Sequence, residues 1–124
     1  MRRVQIIIPH IFPGMNDFIE ANRTYSGRWN KGNSMKQADQ RRIMEYLPEI
    51  RLKRPVRLHY VFYERNKRRD LDNISGYFHK VFQDALVQAG VLENDGWRQI
   101  RGYRDDFRVD PTFPRVEVTV EETK

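Results

Sequence analysis

Alternation is clearest near the end of the chain, where Val116, Val118 and Val120 are separated by Glu117 and Thr119 and followed by Glu121. A repeat of two puts the valines on one face of a strand. Val56, Leu58, Tyr60 and Phe62 repeat in the same way. The other face of that segment begins polar at Arg57 and His59 and turns apolar at Val61 and Tyr63, which predicts a largely buried strand. The period then changes. Ile74, Tyr77, Phe78, Val81, Phe82, Ala85, Leu86 and Ala89 follow the spacing of one helix face, with Gly90 as the stop.

Weaker patterns fill in the rest. Val4 to Ile8, closed by Pro9, predicts a first strand. After the turn Pro13-Gly14-Met15-Asn16, the residues Phe18, Ile19 and Ala21 predict a short helix ending near Asn22. Arg23 to Asn33 reads as a basic loop carrying Trp29, with two readings open: contact with a phosphate backbone, or a solvated loop with Trp29 folded onto the core. Ser34 is placed to cap a helix through Tyr46, ended by Pro48. Trp97, Ile100 and Tyr103 predict a strand after the turn Glu93-Asn94-Asp95-Gly96. The order strand, helices, strand, helix, strand, strand gives a small α+β domain, residues 1–124, with helices packed on a mixed sheet.

Composition narrows the partner. The 124 residues carry a formal charge of +6 and no cysteine. Excess positive charge favours an anionic partner such as nucleic acid. Without cysteine there is no disulfide, thiolate nucleophile or cysteine zinc site, which suits a reducing cytoplasm. No apolar run approaches the ~20 residues of a membrane span, and the segment after Met1-Arg2-Arg3 is too short for a signal peptide.

The chemistry is expected where strand gives way to helix, at Arg68-Arg69-Asp70-Leu71-Asp72-Asn73. Two carboxylates one residue apart can face one cavity if the backbone turns there, and magnesium favours one or two carboxylates plus waters and phosphate oxygens. Arg65, Lys67, Arg68 and Arg69 would draw a polyanion to acids that otherwise repel it. The competing reading is that Asp72 simply caps the helix. Lys80 lies two turns beyond Asp72 and within a quadrant of the same face, with Gly76 leaving that face uncovered. Either its ammonium reaches a phosphate, or it pairs with Asp84 one turn on. Asp95 is a third candidate acid if the return from the helix brings its turn beside the junction, and an ordinary turn residue otherwise. His10, His59 and His79 show no ligand spacing.

The ordered set Arg69-Asp70-Leu71-Asp72-Asn73, Lys80, Asp84-Ala85-Leu86, Ala89-Gly90 and Asn94-Asp95 resembles the RusA family of Holliday junction resolvases, strongly over about the middle third of the chain. The resemblance implies a homodimeric, Mg2+-dependent endonuclease that nicks four-way DNA junctions symmetrically in recombination and repair, a type often carried by prophages. It implies that Asp70, Asp72 and Asp95 are the acidic metal-site residues and Lys80 the catalytic lysine. Lys80 is placed by aligning through Asp84-Ala85-Leu86, because the preceding helix is about one turn longer than in the shorter form of the family. Arg65, Lys67, Arg68, Arg69 and Asn73 are the expected DNA contacts. Two other classes stay open: a non-catalytic basic DNA-binding protein, and a metal-dependent phosphohydrolase for small nucleotides.

Overall fold

The change from a two-residue to a 3.6-residue repeat after residue 64 marks the step around which the architecture is built. A computed structural model describes all 124 residues. In chain order the elements are β1 (Arg3–Ile8), α1 (Met15–Asn22), β2 (Tyr25–Ser26), β3 (Trp29–Asn30), α2 (Lys31–Met44), β4 (Val56–Glu64), α3 (Leu71–Gln88), β5 (Ile100–Val109) and β6 (Arg115–Glu122). The main sheet has the order β1-β6-β4-β5, and β2 and β3 form a small separate hairpin. β6 runs antiparallel to β1 and β4, whereas β5 runs parallel to β4. The chain is thus a small α+β fold with a mixed sheet, as the pattern predicts.

Val56, Leu58, Tyr60 and Phe62 are buried on one face of β4. Tyr60 and Phe62 meet Phe78 of α3 edge to face, with ring centroids 5.9 and 5.6 Å apart. Such aromatic contacts add a directional term to the burial that drives packing. α1 and α2 pack against α3. The opposite face of the sheet carries Arg57, His59, Arg104, Asp106, Thr119 and Glu121 in adjoining rows. No helix is long and apolar enough to cross a membrane.

Four boundaries differ from expectation. Asn30, not Ser34, caps α2, its side chain accepting from the Asn33 N–H at 2.9 Å. The expected loop before it is the β2–β3 hairpin, and Trp29 is 49% exposed rather than folded onto the core. Trp97 lies outside the strand, because the Gly96 carbonyl accepts from Gln99 and Ile100 and closes a turn. Asp70, not Asp72, occupies the N-cap of α3. Gly90 does end α3 as predicted. At φ +78° it takes the left-handed conformation that lets Val91 and Leu92 donate back to Leu86.

Candidate active site

Between β4 and α3 the chain is braced by Arg69. Its Nε and Nη2 donate to the two oxygens of Glu64, each at 2.9 Å, and its Nη1 donates to the Phe12 carbonyl at 3.0 Å. A forked pair of this kind fixes direction as well as distance. Asn73 is also engaged internally: its Oδ1 accepts from the Asn16 N–H at 2.7 Å. A side chain at Gly14 would collide with it, since a Cβ there would lie 2.6 Å from that oxygen. Arg69 and Asn73, expected at the DNA surface, therefore hold the junction's shape. Arg65, Lys67 and Arg68 are exposed and take part in no ion pair.

Asp70 has the extended backbone of an N-cap, φ −71° and ψ 153°, yet its side chain makes no capping hydrogen bond. Asp72 accepts only from the neighbouring Asn73 N–H, at 2.9 Å. Both are exposed, and neither is paired with a cation. Side-chain capping therefore does not account for Asp70, whereas Asp72 satisfies one first-turn N–H. Asp70 lines a cleft of about 780 Å³ together with Glu64, Lys67, Asp105, Asp106 and Arg108. Asp72 stands on the first turn of α3, outside the cleft wall. The N-terminal end of a helix favours negative charge, and anionic ligands as much as carboxylates.

Asp95 is not at this junction. Because β5 runs parallel to β4, α3 must carry the chain back along the sheet before β5 can start. The turn holding Asp95 therefore lies at the far end of α3, where its carboxyl neighbours that of Asp84. Twelve residues separate Asp84 from Asp72, about 18 Å along the helix axis. Burial, then the neighbouring Asp84, pushes the Asp95 carboxyl above its ordinary range, against a lowering by its own backbone N–H and by Lys80. Lys36 of α2 holds Asp84 at 2.6 Å. The expected surface pair Lys80–Asp84 is thus absent, and Lys80 is exposed without an ion-pair partner. Its expected route along an uncovered face is closed at Gly76, where the Met15 side chain packs. Within one chain, no three acidic or imidazole groups converge on a common point.

Two arrangements had no signal in the sequence. Asp105 and Asp106, adjacent on β5, point to opposite faces of the sheet. Asp105 meets His79 of α3 at 2.7 Å, and Asp106 meets His59 of β4 at 2.6 Å. The His59 hydrogen bond holds the Asp106 carboxyl below its ordinary range. The second is a cation cluster at the start of β4. Arg51, Lys53, Arg54 and Arg98 line one cleft with a single acid, Glu93, and none of the four is in an ion pair. Trp97 beside them is 96% exposed. Only the strand order reveals that residues 51–54 and 98 are neighbours.

Among known proteins, no family model matches the chain and no curated relative does either. What the fold and site define is a mixed-sheet α+β chain with two exposed carboxylates outside any ion pair at a helix start, and with Lys67 and Arg108 in the cleft that Asp70 lines. Its chemistry must be read from its own residues.

Proposed function

We propose that this chain is a magnesium-dependent endonuclease that nicks branched DNA, with the four-way junction as its substrate. One observation carries the reading: Asp70 makes no capping bond, and neither Asp70 nor Asp72 is in an ion pair, although Arg65, Lys67 and Arg68 lie a few residues away. Carboxylates serving the fold would be engaged by these neighbours, as Glu64 is by Arg69. Carboxylates left open beside cations suit a substrate that brings its own negative charge together with a divalent cation.

The donor set fits magnesium, which takes oxygen ligands, one or two of them carboxylates, and keeps several waters. Asp70 and Asp72 would hold it, and when bound it supplies Lewis acidity and a water of lowered pKa. The protein's own contribution is positional. Arg69 and Asn73 fix the turn that presents both acids, and Arg65, Lys67 and Arg68 hold phosphates on either side. The likeness of the middle third to junction resolvases supports the choice of substrate.

The separation of Asp95 from Asp70 favours a second reading, a basic DNA-binding protein without catalysis. Cleavage decides between them. A synthetic four-way junction and a linear duplex of the same sequence are incubated with and without magnesium at near-physiological salt. The expected result is paired nicks on opposed strands of the junction only, with magnesium only, and junction binding at least ~10-fold tighter than duplex, about 1.4 kcal/mol. Equal affinity with no nicks would leave the binding-module reading standing.

A further inference from the structure

We propose that the helix-free face of the sheet carries a second anion site, in which Arg3, Arg57 and Arg104 close on a terminal phosphate group, one attached to its parent molecule through a single oxygen. The site does not depend on nicking. It sits at the start of β4, and the strand from Arg57 to Glu64, about 23 Å long, separates it from the junction that carries Asp70 and Asp72.

The strand register assembles it. Glu121 of β6 stands between Arg3 of β1 and Arg57 of β4, and in the next row Thr119, His59 and Arg104 lie side by side. These six residues line a cavity of about 400 Å³ whose walls come only from strands. Three guanidinium groups thus share it with one acid. Neither Arg3 nor Arg57 is in an ion pair, although Glu121 is their cross-strand neighbour. Arg104 reaches Asp106 only at 3.7 Å, with its side chain 72% exposed. Like charges gathered on one sheet face repel, and an anion seated between them removes that repulsion.

Two of the arginines are positioned rather than merely exposed. Val56 pairs with Ile100 but Arg57 pairs with Gly102, so β5 carries Arg101 as an extra residue. In an unbroken register Arg101 would be the neighbour of Arg57. The irregularity puts a glycine there instead, and the Arg57 guanidinium lies across it: a Cβ at Gly102 would come 2.9 Å from Nη1. Bulges recur beside sites because they re-aim side chains. Arg104 is held by a relay. A guanidinium only donates, so its Nη2 gives to His59 Nδ1 at 3.4 Å, and His59 Nε2 gives to Asp106 at 2.6 Å.

The number of arginines selects the ligand. A guanidinium fork matches one edge of a phosphate with two hydrogen bonds. A diester within a nucleic-acid backbone offers two free oxygens and one charge. A terminal phosphate offers three oxygens and nearly two charges at neutral pH, enough to engage three forks around one point.

Titration calorimetry on the full chain in EDTA tests the site without reference to cleavage. The probes are inorganic phosphate, a nucleoside 5′-monophosphate, and a dinucleoside monophosphate, which has one diester and no terminal phosphate. The first two are expected to bind with Kd values of ~1 mM or below, and the diester at least ~10-fold more weakly. Arg57→Gln should weaken the monophosphate at least ~10-fold, and Gly102→Ala ~3-fold or more by displacing that guanidinium. Arg98→Gln, in the other cation cleft, should leave it unchanged, each variant being shown folded by circular dichroism. Equal affinity for the monophosphate and the diester overturns the proposal. So does binding that survives Arg57→Gln, or none at ~10 mM phosphate. An oligonucleotide with and without a 5′-phosphate then separates the sources of the group. A gain from the 5′-phosphate that Arg57→Gln abolishes supports the site as one for nucleic-acid ends, and monophosphate binding with no such gain supports it as one for free nucleotides.

Discussion

The two ends of α3 carry the same residue type under opposite conditions. At its start, Asp70 and Asp72 are exposed and unpaired although cations stand nearby. Toward its finish, Asp84 is held by Lys36 at 2.6 Å and lies against Asp95, whose carboxyl is pushed up by burial and by that neighbour. The far end has settled its charges within the chain and the near end has not. An exposed ion pair contributes little to stability, about 0–1 kcal/mol. The contrast therefore bears less on folding than on which carboxylates remain available to a ligand.

The largest effect expected from that contrast is on the near end. Asp70→Asn and Asp72→Asn should each lower magnesium-dependent nicking by ~10²–10³-fold or more, the scale of losing one group that stabilises transition-state charge. Binding to the junction, measured in EDTA, should be unchanged or tighter, because one negative charge beside a polyanion is gone. Asparagine still serves at an N-cap, so the fold is expected to persist. Nicking at wild-type rates by either variant would remove the near end from the chemistry. Lys80, exposed and unpaired between the two ends, comes next. Lys80→Ala should slow nicking and weaken junction binding alike, by no more than ~3-fold, since Met15 covers the face between Lys80 and the acids and leaves it one phosphate contact in a salt-dependent total. A ~10²-fold loss of nicking with binding intact would instead put Lys80 at the reacting phosphate.

What could be read beforehand follows the range of each interaction. The repeats of β4, α3 and β6 were legible because periodicity is local, and they were enough for the α+β class. The unpaired state of Asp70 was not legible, because Asp at a helix start predicts a cap. Only the bonds of Arg69 to Glu64 and of Asn73 to Asn16 show which polar groups the junction engages. Asp95 depended on a choice the pattern leaves open. A strand after a helix can pair either way with the strand before it, and the parallel choice for β5 sends the turn at Asp95 to the far end. The Met15 side chain over Gly76 was hidden for the same reason, since α1 and α3 are brought together by packing rather than by sequence spacing.

The smallest effect tests the far end, through stability rather than activity, in EDTA so that no divalent cation contributes. The folded-state pKa of Asp95 is raised above its ordinary 3.8. A carboxyl raised by folding contributes stability that is fully present below its unfolded pKa. That contribution is lost as pH rises through the raised folded value, because the folded chain must then ionise Asp95 in a partly desolvated place beside Asp84. Asp95→Asn has nothing to ionise. Its melting temperature relative to wild type should therefore climb as pH goes from about 4 to 7, ending ~1–2 °C higher, the size expected for relieving one like-charge surface pair. Lys36 and Lys80 offset part of the repulsion, which keeps the gain small. A difference that stays flat with pH, or falls, would mean that Asp84 and Asp95 do not oppose each other and that the far end is as open as the near one.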